Sequence, residues 1–185
     1  MQNPKLAYRY ANALYEFSLE IDIVENVYND ILYIQKVEIE NDELRKVLES
    51  PIIPQDKKQN IIREIFQKKL TRTVFNFFTL IVKKRREPEL LMICRQFIKI
   101  YYKNHNIKEA YLTSAQPLSE KMVHHIKTYL EEELPYTFII HLSVEPKIIG
   151  GIIVKIDDYF FDAGILNKIN KLKAEFSQNK YAVGF

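Results

Sequence analysis

The hydrophobic period of the chain changes near residue 105, and this change limits the folds that are available. From residue 4 to about residue 104, apolar residues recur every three or four positions, which is typical of amphipathic helices. Beyond that point several segments alternate between apolar and polar residues, which is typical of half-buried strands. A chain of 185 residues can form two small domains. The sequence therefore predicts an α-dominated protein with two domains, residues 1–105 and residues 106–185.

The first domain is predicted to be a bundle of six helices. Pro4 suits the first turn of the first helix, and Asp22 with Glu25 three residues later predicts a capping box at the start of the second. The pair Glu87-Pro88 predicts the break before the last helix, since proline cannot continue a helical hydrogen-bond ladder. Short connections between the helices indicate a compact bundle.

The fifth predicted helix is apolar around most of its circumference. Its sequence, TVFNFFTLIVKK, begins near Thr71 or Thr73. A helix of this kind lies either at the centre of a bundle or against a partner that covers one of its faces.

The second domain is predicted to be a small α+β unit with a mixed sheet of about four strands. One helix, which begins at Pro117-Leu118-Ser119, is predicted between the first two strands. A last helix is predicted after Gly164, following the fourth strand. Asp157-Asp158 suits a tight hairpin turn between the last two strands. The four predicted strands cover residues 109–115, 137–144, 151–156 and 159–162.

Charge is distributed unevenly along the chain. Residues 1–56 contain five basic and eleven acidic residues, a net charge of −6, whereas residues 57–105 contain thirteen and three, a net charge of +10. A basic block suits nucleic acid or an acidic protein surface, and equally a solvated helix face with acidic neighbours. Within one bundle we favour the solvated face. The run from Lys83 to Arg86 ends a helix, where cations interact favourably with the carbonyl end.

The residues that usually carry chemistry do not assemble into a site. Cys94 is the only cysteine and fits an apolar helix face, so a buried thiol is expected. His124 and His125 are adjacent on a helix, so their side chains point apart and do not form a chelating pair. The four glycines cannot form a phosphate-binding loop. The sequence predicts neither catalytic residues, nor a metal site, nor a cofactor, nor a small-molecule substrate.

Four segments along the chain match the pattern of one protein family. They are AYRYANALYEFS at 7–18, LIVKKRREPELLMICRQFIKIYY at 80–102, AYLTSAQPLSE at 110–120 and VEPKIIGGIIVKIDDYFFDAGILNKINKL at 144–172. In these segments the chain resembles the family of ATP synthase delta (OSCP) subunits. The last segment is the most specific. Its residues in register with the family motif are Pro146, Gly150, Gly151, Lys155, Asp158 and Asp162.

The chain also departs from the family pattern within that last segment. Asp157 replaces a glycine before the hairpin aspartate, and Asp162-Ala163-Gly164 replaces the usual Asp-Gly-Ser. Leu166 occupies a position where a basic residue is common in the family. Contacts that depend on that basic residue are therefore not expected here.

The resemblance implies a non-catalytic stator subunit of a rotary, proton-translocating ATP synthase. It implies that residues 1–105 bind the N-terminal helix of an alpha subunit, and that residues 106–185 bind the b-type peripheral stalk. The first and fifth helices would form the groove for the alpha helix, with a thin strip at the two alanines of the first helix. The expected groove residues are Ala7, Tyr10, Ala11, Leu14, Phe17, Val74, Phe75, Phe78, Ile81 and Val82.

The resemblance further implies a location at the membrane periphery, on the cytoplasmic side of the bacterial plasma membrane or its organellar equivalent. The basic block at 57–86 would then favour an acidic surface of the head or stalk. The alternative from a different class is a small basic RNA-binding adaptor driven by the charge of residues 57–105. A small hydrolase is a third class, and no assembled site supports it.

Overall fold

The structure, a computed structural model, describes residues 4–148 and 151–162. The chain divides between Asn104 and His105 into two compact units, which we call the helical unit and the α/β unit. Within the described residues the fold is helix-dominated with one mixed four-stranded sheet, which confirms the predicted fold class.

The helical unit contains six α-helices joined by short connections. Pro4 is the first residue of α1, and Glu87–Glu89 form a 3-10 turn at the predicted break before the last helix. The helices are α1 (Pro4–Glu20), α2 (Val24–Glu40), α3 (Asp42–Glu49), α4 (Gln55–Phe66), α5 (Arg72–Lys83) and α6 (Leu90–Asn104).

The core of the helical unit lies where α6 packs against α1 and α2. Tyr15 of α1 packs edge-on against Phe97 of α6 with ring centroids 5.9 Å apart. Tyr28 of α2 stacks on Tyr101 of α6 at 3.9 Å, and the Tyr101 hydroxyl donates a hydrogen bond to Glu25. Cys94 is fully buried, as expected, and burial raises the pKa of its thiol well above its usual range.

A buried ion pair joins α4 to the 3-10 turn. The Lys58 ammonium donates hydrogen bonds of 2.6 Å to Glu87 Oε1 and to the Leu48 carbonyl. Lys58 is only 2% exposed, so the charge is compensated inside the protein rather than by water. Lys58 thus ties the first turn of α4 both to the end of α3 and to the 3-10 turn that follows α5.

Glu38 is a second buried carboxyl, on α2, with an Oε2 atom that has no hydrogen-bond partner. Burial raises its pKa to about 7, and the negative charge of Glu49 adds to the shift. Arg45 and Arg95 oppose the shift only in part. Glu38 is therefore a carboxyl group whose ionisation is linked to its packing in the folded unit.

The α/β unit contains β1 (Ile107–Ser114), α7 (Glu120–Glu133), β2 (Thr137–Val144), β3 (Ile152–Ile156) and β4 (Tyr159–Asp162). The strand order is β2-β1-β3-β4, with β1 and β2 parallel and the other two pairs antiparallel. A parallel pair needs a crossover, and α7 provides it. Ser119 accepts a hydrogen bond from the Met122 amide and so caps α7, as predicted.

The β3–β4 hairpin turns at Asp157-Asp158, as predicted. Asp157 has a φ of 49°, a left-handed conformation that aspartate tolerates better than most residues. The predicted helix after Gly164 lies outside the described residues.

A candidate helix-binding groove between α1 and α5

An open groove of about 420 Å³ lies between α1 and α5 in the helical unit. Large apolar side chains form both of its walls, and two polar side chains of α5 lie among them. The lining residues are Ala13, Leu14 and Phe17 of α1 and Thr73, Asn76, Phe77 and Leu80 of α5.

α5 has two apolar faces, and only one of them belongs to the core. The core face is fully buried, and its Phe78 packs edge-on against Phe66 of α4 at 5.9 Å. The groove residues of α5 follow a separate stripe, since positions 73, 76, 77 and 80 share one side of a helix. This explains why the helix is apolar almost all round: one stripe packs inside the unit and the other faces the groove.

The core face of α1 includes two alanines beside the larger Leu14 and Tyr15. Ala7 and Ala11 are completely buried on the helix that packs most extensively against α6. Their short side chains let the two backbones approach closely. The neighbouring stripe of α1, which includes Ala13 and Phe17, is left to form the groove wall.

The groove walls expose more apolar surface than a packed helix pair would. Phe17 is 48% exposed and Leu80 is 45% exposed. Tyr10 packs edge-on against Phe77 at 6.4 Å, which holds the Phe77 ring in place on the groove wall. A concave apolar surface between two helices has the shape and chemistry that bind the apolar face of a third helix.

The structure has an open groove between the two helices for which the sequence predicts a partner groove, but a different set of residues lines it. Six of the ten expected residues are completely buried and offer no surface to a partner: Ala7, Ala11, Val74, Phe78, Ile81 and Val82. Leu14 and Phe17 line the groove, whereas Tyr10 and Phe75 are partly exposed beside it.

The residue set changes because Phe77 and Leu80 of the groove stripe are as apolar as the buried stripe of α5. Spacing alone does not distinguish the stripe that packs inside the unit from the stripe that remains outside. The residues that the sequence reasoning missed are Ala13, Thr73, Asn76, Phe77 and Leu80. The polar pair Thr73 and Asn76 was the available signal, since polar residues on an otherwise apolar helix mark its more exposed side.

The described residues of the family motif are spread along the segment that leads into the β3–β4 hairpin and along the hairpin itself. Gly151 has a φ of 91° just before β3, a conformation that suits glycine. Pro146, Lys155 and Asp158 are exposed, and Lys155 lies opposite Tyr111 and Phe160 in the sheet register. Gly150 and the side chain of Asp162 lie outside the described residues.

A second apolar cavity, of about 400 Å³, lies in the α/β unit between α7 and the β3–β4 hairpin. No sequence pattern had singled it out. All of its lining side chains are apolar or aromatic, and they come from one face of the sheet and one side of α7. They are Ile126, Tyr129, Leu130, Ile152, Val154, Ile156, Tyr159 and Phe161.

The polar side chains of the described residues do not gather into a metal-binding group of three or more His, Cys, Asp or Glu residues. His124 and His125 are both exposed on α7. His141 Nε2 lies 2.9 Å from Glu109 Oε1, and the His141 ring stacks on Tyr111 with ring centroids 4.7 Å apart. In the part of the chain that the structure describes, no helix has the length and apolar character needed to cross a membrane.

Comparison with known proteins first defines the fold. One chain of the Toxoplasma gondii mitochondrial ATP synthase hexamer superposes with a TM-score of 0.67, over 93% of this chain and 97% of that chain, at 20% identity. The two proteins therefore share a fold.

Sequence comparison then defines the family. The sequence profile described as ATP synthase delta (OSCP) subunit matches residues 6–176. ATP synthase subunit delta of Halothermothrix orenii is 35% identical, over 94% of this chain and 91% of its own length. ATP synthase subunit delta of Cytophaga hutchinsonii is 29% identical, over 96% and 97% respectively. The chain belongs to the ATP synthase delta (OSCP) subunit family.

Membership of this family makes the chain a non-catalytic subunit of ATP synthase. It takes part in ATP synthesis and ion transport as a component of the peripheral stalk. Its binding sites are therefore surfaces for other ATP synthase subunits, and the groove between α1 and α5 is the first candidate.

Proposed function

We propose that this chain is the stator connector of its ATP synthase. It holds the catalytic head to the peripheral stalk, so that proton-driven rotation of the rotor is coupled to ATP synthesis instead of turning the head. The observation that carries the proposal is the open apolar groove between α1 and α5 in a member of the delta (OSCP) family. The work is mechanical, and the chain needs no active site of its own for it.

The helical unit, residues 1–105, binds the N-terminal helix of an alpha subunit in this groove. A helix fits because both walls are helical and because α1, with 17 residues, extends for about 25 Å. Burial of Phe17 and Leu80 under a partner would supply the apolar centre of the interface. A standard-size interface of about 800 Å² per partner is enough for stable attachment.

The α/β unit, residues 106–185, binds the b-type peripheral stalk. The support is the apolar cavity between α7 and the β3–β4 hairpin. Tyr129 is 58% exposed and Phe161 is 68% exposed, so aromatic anchors are available at the surface. With both partners bound, the chain lies at the membrane periphery on the cytoplasmic side of a bacterial plasma membrane.

Groove binding is tested with calorimetry on the full chain and a synthetic peptide of the cognate alpha-subunit N-terminus. Phe17→Asp and Leu80→Asp place a charge in the groove at half-exposed positions, so the bundle keeps its fold. Each is expected to weaken binding at least about 100-fold, since a carboxylate would be desolvated against an apolar helix face.

Leu19→Asp is the matched control for the groove variants. Leu19 is 53% exposed on the same helix but does not line the groove. It should bind the peptide like the wild type. The groove proposal fails if Phe17→Asp and Leu80→Asp keep wild-type affinity while their circular dichroism spectra show a folded protein.

Stalk binding is tested by pull-down of the soluble part of the b-type subunit with the full chain. Phe161→Asp alters the cavity, whereas Phe160→Asp alters the opposite face of the same strand, because successive strand residues point to opposite faces. The proposal predicts that only Phe161→Asp loses the stalk. Equal retention of the stalk by both variants would refute the cavity as its binding site.

A further inference from the structure

The groove-facing stripe of α5 continues into two lysines. Positions 73, 76, 77 and 80 line the groove, and the same helical spacing leads next to positions 83 and 84. Lys83 is the last residue of α5 and Lys84 is its C-cap, and both are exposed. The stripe therefore begins with the polar Thr73 and Asn76, continues through the apolar Phe77 and Leu80, and is cationic at its C-terminal end.

The lysines are not needed to complete the end of α5. The Leu80 carbonyl accepts from the Lys84 amide, the Ile81 carbonyl from the Arg86 amide and the Val82 carbonyl from the Arg85 amide. Gln55 Nε2 donates to the Val82 and Lys83 carbonyls from α4. Neutral donors thus satisfy the last carbonyls of the helix, and the ammonium groups have no such task.

The lysines are also not used in ion pairs within the described residues. Lys36, Lys58 and Lys108 each lie within salt-bridge distance of a carboxylate, whereas no such pair involves Lys83 or Lys84. Two exposed cations at one end of an apolar groove form an asymmetric surface. The charge complement is a carboxylate at the corresponding end of whatever lies in the groove.

We propose that the helix that binds between α1 and α5 carries carboxylates at the end that lies beside Lys83 and Lys84. This inference rests on the proposed function of the groove and adds the partner's charge pattern to it. An amphipathic helix can lie in an apolar groove in two opposite directions. The lysine pair selects the direction that brings the acidic end to Lys83 and Lys84, and it disfavours the reverse.

The inference is tested with the full chain and the alpha N-terminal peptide, by calorimetry at low and high salt. The test variant is Lys83→Glu with Lys84→Glu. The matched control is Lys46→Glu with Lys103→Glu, because both residues are exposed in the last turns of α3 and α6. The test variant and the control variant thus change the net charge by the same amount, and both place carboxylates near helix C-termini.

The test variant is expected to bind the peptide about 10-fold more weakly than the wild type at 50 mM NaCl, from two reversed surface charge pairs. The control should stay within about 2-fold. At 500 mM NaCl the difference should fall below about 3-fold, because salt screens exposed charges.

A second peptide, with its Asp and Glu residues changed to Asn and Gln, completes a double-mutant cycle. It should bind the wild type more weakly and should lose nothing further on the test variant. If the test variant binds the acidic peptide as well as the control does, the charge inference is wrong, even where Leu80→Asp abolishes binding. If Leu80→Asp has no effect either, the groove proposal itself has failed, and this inference falls with it.

Discussion

The two units differ in how they use their apolar residues. In the helical unit every one of the six α-helices buries at least two side chains, and the groove is a limited opening in an otherwise packed bundle. In the described part of the α/β unit, α7 buries none, and the buried apolar side chains are few. These few are Ala110, Leu112, Phe138 and Ile148.

This difference indicates two ways to present a binding surface. The helical unit offers an open groove in a packed bundle, so the proposed partner helix would require little rearrangement of the unit on binding. The α/β unit offers a broader apolar surface around α7 and the β3–β4 hairpin, where Phe161 and Tyr159 are largely exposed.

The largest expected effect is a difference in unfolding free energy between substitutions in the buried stripe and in the groove stripe of α5. Phe78→Ala should lower the free energy of unfolding by about 4 kcal/mol, since it leaves a cavity in the core, whereas Leu80→Ala should cost less than about 1 kcal/mol. Urea denaturation followed by circular dichroism measures both. Similar costs for the two variants would mean that the stripes have been assigned to the wrong sides.

The buried ion pair gives the next largest effect. Lys58→Met should destabilise the helical unit by about 3 kcal/mol, because it leaves the Glu87 carboxylate buried without its partner. The double variant with Glu87→Leu should regain most of that loss. A double variant that is as unstable as Lys58→Met alone would show that the pair itself, and not the unpaired charge, determines stability. Urea denaturation is again the measurement.

Glu38 predicts a pH dependence of the helical unit. Its folded pKa of about 7 lies above the unfolded value, so the folded state holds the proton more tightly. Stability should therefore fall by about 2–3 kcal/mol as the pH rises from 4.5 to 7, and should change little from this group above that. Glu38→Gln should remove this dependence, so that the stability of the variant relative to the wild type rises between pH 4.5 and pH 7. Parallel slopes for the two proteins in denaturation series over this range would contradict the prediction.

The smallest expected effect tests the α/β unit. Ser119→Ala removes the cap of α7 and should lower local stability by about 1 kcal/mol. Because α7 buries none of its residues, hydrogen exchange of its first-turn amides should speed up while exchange in α6 stays unchanged. Faster exchange throughout the helical unit would show that the two units do not unfold independently.

Sequence periodicity was enough to predict the helices and strands, but not which face of α5 is buried in the core. The alternation at 137–144 and the turn at Asp157-Asp158 match β2 and the β3–β4 hairpin, because each has one dominant local cause. The capping box predicted from Asp22 and Glu25 was wrong. Ile23 is the N-cap of α2 without a side-chain hydrogen bond, and Asp22 has a φ of 54° in the turn after α1.

Contacts between helices determine two features that local sequence patterns did not predict: the buried face of α5 and the Lys58–Glu87 ion pair. Phe77 and Phe78 are equally apolar, and the packing of other helices against α5, including Phe66 of α4 against Phe78, places Phe78 in the core. The pairing of Lys58 with Glu87, 29 positions away, likewise has no local signal. Periodicity therefore predicts which helices flank the groove, whereas for its lining the sequence offers only the polar pair Thr73 and Asn76 as a signal.

The most direct test of the connector account is site-specific photocrosslinking in the assembled ATP synthase. A photoreactive residue in place of Asn76 would lie on the groove wall at an exposed polar position. The account predicts a crosslink to the N-terminal segment of an alpha subunit, lost when Leu80→Asp is added. Crosslinks from Asn76 to other subunits only, with the complex intact, would contradict it.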